Sequence, residues 1–124
     1  MTRYLFIFLG GGLGSVCRYA VQGLVYRIFP SLFPLGTLLV NITGSFLIGF
    51  CMAAFEERFL INPSLRLFLT IGILGGYTTF SSFSYETVAL LRDGQLFDGG
   101  VNIAASFLFC LTAAYGGILA GKMV

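Results

Sequence analysis

A chain of 124 residues that is 57% hydrophobic and only 10% charged lacks the polar coat of a water-facing globule, since soluble domains carry about 25% charged residues. Its mean hydropathy of +0.95 points the same way. A net charge of +2 without a basic patch gives no footing to a nucleic-acid partner, and the absence of histidine removes the commonest general base and metal ligand, so we read no enzyme here.

The few charges divide the chain into membrane-length pieces, because a spanning helix needs ~20 mostly apolar residues. The first span is read over 4–28, interrupted only by Arg18. Arg3 followed by an apolar stretch resembles a signal peptide, and Leu13-Gly14-Ser15-Val16-Cys17 loosely resembles a lipoprotein cleavage site. Hydrophobicity resumes after Arg18, however, so the expectation is a retained first span.

The turn Pro30-Ser31-Leu32-Phe33-Pro34 holds two helix breakers and leads into the second span, 34–56, where residues 28–55 carry no charge. Asn41 stands in the middle of this run, in Gly36-Thr37-Leu-Leu-Val-Asn41-Ile-Thr43-Gly44. An amide there is costly unless paired. It either donates to an anion or bonds a neighbouring helix.

A polar turn, Glu56-Glu57-Arg58 and then Asn62-Pro63-Ser64, precedes the third span, 65–91, with Asn62 or Ser64 as the cap. This span carries the most informative segment, Gly72-Ile-Leu-Gly75-Gly76-Tyr-Thr78-Thr79-Phe80-Ser81-Ser82-Phe83-Ser84-Tyr85-Glu86. Glycines followed by hydroxyl and β-branched residues are poor helix formers. Two readings stand: a helix broken in mid-membrane, or a kinked helix whose hydroxyls bond its own carbonyls. A break frees backbone groups that protein, water or an ion must satisfy, and such carbonyls can hold a cation. Phe80 and Phe83, at i and i+3, share a face with Glu86. Their ring edges carry partial positive charge and can touch an anion without trapping it; ordinary packing is the alternative.

Arg92-Asp93-Gly94 closes the third span, and the fourth is read over 97–121. Asn102, Ser106 and Cys110 form a polar stripe along it at i, i+4 and i+8. With Cys17 and Cys51, Cys110 makes an odd set inside spans without CxxC spacing, better read as small buried residues than as disulfide or metal partners. Arg18 and Glu86, the only charges well inside spans, either pair, cap a pore mouth or snorkel.

With connections this short, function must lie within the membrane. Lys and Arg divide weakly between the two sides, Arg3, Arg58, Arg66 and Lys122 against Arg27 and Arg92, which allows one fixed orientation or insertion both ways. The pairs Gly10/Gly14, Ser45/Gly49 and Gly117/Gly121 permit close helix approach, within one unit or between copies. Four helices are few to enclose a polar path, so an oligomer is expected.

Over essentially its whole length the sequence resembles the small bacterial fluoride channels called Fluc or CrcB. The resemblance is carried by the Gly-rich first span with Arg18, the Gly-Thr-Leu-x-x-Asn run ending at Asn41, and the run from Gly75 to Glu86. It implies an all-α integral membrane protein of four transmembrane helices, the third broken in mid-membrane, forming a single domain over 1–124 and an antiparallel, dual-topology homodimer. It further implies passive export of cytosolic fluoride through two pores across the inner membrane, and a central structural sodium ion held by backbone carbonyls of Gly75 and Thr78 from both subunits. Phe80 and Phe83 would be the pore phenylalanines and Asn41 the pore amide, with Ser81 among the hydroxyls of the path. Ser106 with Asn102 and Cys110 would form a polar track, and Glu86 would sit near a pore mouth. Asn102 stands where some members have tyrosine, and Cys110 is a weaker donor than serine.

Two rivals remain at this level. A small four-span proton-coupled multidrug exporter would use a carboxylate in the first span, where this chain has Arg18 and no acid. A non-transporting membrane assembly subunit would use its polar stripes only as helix glue.

Overall fold

The structure, a computed structural model, describes residues 2–57 and 62–124. Among these residues all regular structure is helical, in four pieces long and apolar enough to cross a membrane. The first is α1 (Thr2–Ile28) and the second α2 (Leu35–Glu57). The third is composite: α3 (Pro63–Leu67), a π-helical stretch (Phe68–Leu74), α4 (Gly75–Tyr77) and α5 (Phe80–Arg92). The fourth is α6 (Leu96–Gly121). Large apolar side chains such as Phe8, Tyr19, Leu111 and Tyr115 face outward all round. That is the pattern of a surface solvated by lipid, and the chain is a multi-pass membrane protein.

The ends of the elements follow local chemistry. α2 begins directly after Pro34, whose carbonyl accepts the Leu38 N–H at 3.0 Å; its fixed φ suits a helix start. Asn62 caps α3, its side-chain oxygen accepting the Ser64 N–H at 2.9 Å, with Pro63 in the first turn. Of the two candidate caps in the sequence, Asn62 does the work. Arg58, in the same turn, lies outside the described residues. Between α5 and α6, Gly94 takes φ +79°, which lets Gln95 N–H reach the Leu90 carbonyl at 2.9 Å and Gly94 N–H the Leu91 carbonyl at 3.3 Å. This is a Schellman stop, and it turns the chain back in three residues.

Glycine sets the packing of the four spans along two seams. In the first, Gly10 and Gly14 of α1 lie against the backbone of Phe68, Gly72, Ile73 and Tyr77 in the third span. In the second, Gly49 of α2 faces the Ala114 carbonyl, while Gly117 and Gly121 of α6 face the Phe46 and Phe50 carbonyls. The glycines of those small-residue pairs therefore serve seams within one chain, where backbones approach too closely for any Cβ. Cys17, Cys51 and Cys110 are free thiols; Cys17 is exposed on α1 rather than buried, and the other two are half-buried.

Candidate functional site

The two seams hold α2, α6 and the third span around a backbone irregularity at Thr78 and Thr79. Thr78 has φ −79° and ψ 156°, and Thr79 has φ −152° and ψ 111°, so both are extended between α4 and α5. Adjacent β-branched residues favour this backbone. The Thr78 N–H and hydroxyl both donate to the Leu74 carbonyl at 3.0 Å, ending the helix before it. Thr79 then caps α5, its hydroxyl oxygen accepting the Ser82 N–H at 3.1 Å.

Asn41 supplies what the interrupted ladder lacks. Its Oδ1 accepts the Thr79 N–H at 2.8 Å, and its Nδ2 donates to the Thr79 carbonyl at 3.0 Å. One side-chain amide thus pairs with both backbone groups of one residue, as a neighbouring strand would. In a continuous helix the Thr79 N–H would close on the Gly75 carbonyl. Here that carbonyl loses its donor, and among the described residues no backbone N–H points at the Thr78 carbonyl either.

Around this point lies an open cavity of about 450 Å³. Its wall brings together Asn41, Gly75, Thr78, Phe80, Phe83, Ser106 and Cys110 of the residues singled out in the sequence. Phe80 and Phe83 are in ring contact, centroids 5.3 Å apart, and Phe83 meets Phe107 edge-on at 6.2 Å. Phe83 is 7% exposed, while Phe80 is 70% exposed. The Ser106 hydroxyl is buried with no hydrogen-bond partner among the described residues. Ser45, Thr70 and Thr79 also line the cavity. In the sequence Thr70 and Thr79 carry no role of their own and Ser45 stands only as a small residue paired with Gly49, although Ser45 and Asn41, at i and i+4, share a face of α2.

The remaining candidates stand outside that wall. Ser81 is exposed, its hydroxyl 3.2 Å from that of Thr79. Asn102 is 1% exposed and donates through Nδ2 to the Thr87 hydroxyl at 2.9 Å, which in turn donates to the Phe83 carbonyl at 2.6 Å. Glu86 accepts from the Thr37 hydroxyl at 2.8 Å through Oε1, and Thr37 accepts from Gln22 Nε2 at 3.0 Å. The second carboxylate oxygen, Oε2, is buried without a partner among the described residues. Arg18 is half-buried on α1 and forms no ion pair with Glu86. Thr37 and Gln22 were legible only as positions, each one helical turn from a residue that the sequence did single out, Asn41 and Arg18.

No group of three or more His, Cys, Asp or Glu side chains among the described residues gathers to hold a metal ion. Neutral donors and uncommitted carbonyls characterise the site instead. Such groups can replace the hydration shell of a small ion; they are not arranged to make or break covalent bonds.

Comparison with known proteins gives a consistent result. Residues 5–118 match the family model described as CrcB-like protein, Camphor Resistance (CrcB). The chain is 48% identical over 124 residues, all of both chains, to a Geobacter sulfurreducens protein named fluoride-specific ion channel FluC. An Opitutus terrae protein of the same name is 49% identical over 97% of this chain and 92% of its own length. One from Anaeromyxobacter dehalogenans is 46% identical over 96% and 94%.

Proposed function

We propose, since the chain belongs to the CrcB family of fluoride channels, that it conducts fluoride passively through the cavity beside Thr79 and exports it from the cytosol across the inner membrane. The observation that carries this reading is the makeup of the wall: an amide, hydroxyls and phenyl edges, with no fixed cation among the residues that line it.

Fluoride is small and strongly hydrated, so a path through a membrane must offer replacement donors and still let the ion go. An asparagine amide has two N–H donors. One of those on Asn41 is engaged by the Thr79 carbonyl, and the other remains for an anion. The buried Ser106 hydroxyl has no competing acceptor among the described residues. Phe80 and Phe83 present positive ring edges, which attract an anion less firmly than a lysine or arginine would. Cys110 extends this lining with a weak donor, and Ser81 lies next to it through Thr79. Glu86, held by Thr37, belongs to the mouth of the path, with the half-buried Arg18 as a second charge near it.

The working unit in this reading is an antiparallel homodimer inserted in both orientations, with one pore on each side of its axis. Phe80 supports it: a ring that lines the cavity yet is 70% exposed needs a second surface to finish the wall. The mid-membrane interruption at Thr78 and Thr79 would face the partner copy. A structural sodium ion fits the donor set there, because the Gly75 and Thr78 carbonyls are hard oxygen ligands without backbone donors among the described residues. When bound, it would supply positive potential near the anion path and tie the two copies together.

Replacing Phe80 and Phe83 by isoleucine tests this directly. The channel reading expects fluoride efflux from liposomes to fall about 10-fold or more, since ring-edge contacts are lost, while the dimer remains folded. Unchanged efflux, or transport of a cationic dye driven by a proton gradient, would count against it.

A further inference from the structure

Asn102 lies on the stripe of α6 that also carries Ser106, yet the two residues do different things. The Ser106 hydroxyl is buried in the wall of the cavity without a partner among the described residues. Asn102 is almost wholly enclosed, at 1% exposure, and its Nδ2 is committed to Thr87. We infer that Asn102 is a positioning residue: acting through Thr87, it fixes the Phe83 ring in the conduction path. This rests on the proposed channel function.

The direction of the hydrogen bonds supports the inference. The Thr87 hydroxyl has a single hydrogen, and that hydrogen goes to the Phe83 carbonyl at 2.6 Å. Thr87 can therefore meet Asn102 only as an acceptor, and Asn102 must present its NH2 group, as it does at 2.9 Å. The chain runs one way, from α6 through Thr87 to the backbone of Phe83. Chains of buried hydrogen bonds strengthen one another, and breaking one link leaves the next group unpaired.

The Phe83 carbonyl is the point on which this chain closes, and the Phe83 ring is packed between Phe80 and Phe107. One turn further along α5, Leu91 packs against Gly99, where any Cβ would collide with the leucine side chain. The Asn102–Thr87 pair and the Gly99–Leu91 contact together fix the axial register of α5 on α6. That register decides where the Phe83 ring edge stands relative to Ser106 and Phe107. Hydroxyl back-bonding of the Thr87 kind also bends a helix slightly, which gives α5 a local means of aiming the ring.

A double-mutant cycle separates this role from direct contact with the ion. Wild type, Asn102→Leu, Thr87→Val, the double variant and Thr87→Ser are purified and reconstituted at equal density in fluoride-loaded liposomes. Each is also checked as a folded dimer by size-exclusion chromatography. Asn102→Leu and Thr87→Val are each expected to slow fluoride efflux by about 10-fold, the scale on which small misplacements in a site act. The double variant should be no slower than either single, because both break the same chain. Thr87→Ser keeps the hydroxyl and should conduct like wild type. Multiplied losses in the double variant would mean that Asn102 acts on the ion itself, and would overturn the inference. If Asn102→Leu yields no folded protein, Thr87→Val against Thr87→Ser decides: a conducting Thr87→Val overturns the inference alone. A wild type that passes no fluoride overturns it together with the channel reading.

Discussion

Replacing Asn41 by leucine is expected to abolish fluoride efflux and to destabilise the folded protein. Leucine preserves approximate volume but removes both hydrogen bonds to Thr79. The Thr79 N–H cannot simply return to the Gly75 carbonyl, because Thr78 and Thr79 are extended and their helical geometry is gone. A buried N–H without a partner costs about 1–3 kcal/mol, and the strain would fall on the residues that start α5. Phe80 and Phe83 occupy the first turns of that helix, so the path should close or lose its shape as well. Thermal unfolding in detergent reads the stability loss, and efflux from liposomes reads the function. An Asn41→Leu protein that melts and conducts like wild type would remove the Asn41–Thr79 pair from the account.

The second large effect is steric. Gly117 faces the Phe46 carbonyl so closely that the methyl group of alanine has no room. The obstacle is backbone, which has no alternative rotamer, so α2 and α6 must separate along their seam. Overpacking of this kind costs about 3 kcal/mol. Gly116, its neighbour in the same helix, faces open space where a methyl group would stand. There alanine should be neutral, or stabilising by about 0.5 kcal/mol through lost chain entropy. The two substitutions have the same chemistry and adjacent positions, so their melting temperatures isolate the seam. Gly117→Ala melting with Gly116→Ala would show that the helices do not meet as described.

Much of the fold was legible from charge spacing alone. Uncharged stretches at 28–55, 67–85 and 99–121, with Pro30, Pro34, Pro63 and Gly94 between spans, delimit the helices to within a few residues. The composition of 72–86 likewise marked the third span as irregular, and the candidate residues Asn41, Phe80, Phe83 and Ser106 do meet at one cavity. What could not be read was pairing. The partner of Asn41 is Thr79, that of Glu86 is Thr37, and that of Asn102 is Thr87, and the first two lie far off in sequence. Helical periodicity tells which residues share a face. It does not tell which two faces touch, and so an intramembrane amide could be read equally as ion ligand or helix clasp. Arg18 and Glu86 illustrate the same limit: as opposite charges inside the first and third spans they could pair, cap a pore mouth or snorkel, and the carboxylate is held by a hydroxyl rather than by Arg18.

The glycine pairs teach a related lesson. Their spacing signals close backbone approach but carries no label for the partner, since a second copy offers the same helical surfaces as the chain itself. The backbone carbonyls of Phe68, Ile73, Phe46 and Ala114 supply that label here, and all belong to the same chain. A dimer interface must therefore be built mainly from other surfaces, and the open cavity with its exposed Phe80 and Gly75 is where the proposed partner would sit.

Fluoride conduction itself is read from efflux out of liposomes holding the purified wild-type protein, followed with a fluoride-selective electrode and without any pH gradient. Passive conduction predicts rapid release of internal fluoride down its gradient, well above protein-free vesicles, with chloride retained under the same conditions. Fluoride release no faster than from protein-free vesicles, by a protein that is a folded dimer, would contradict it.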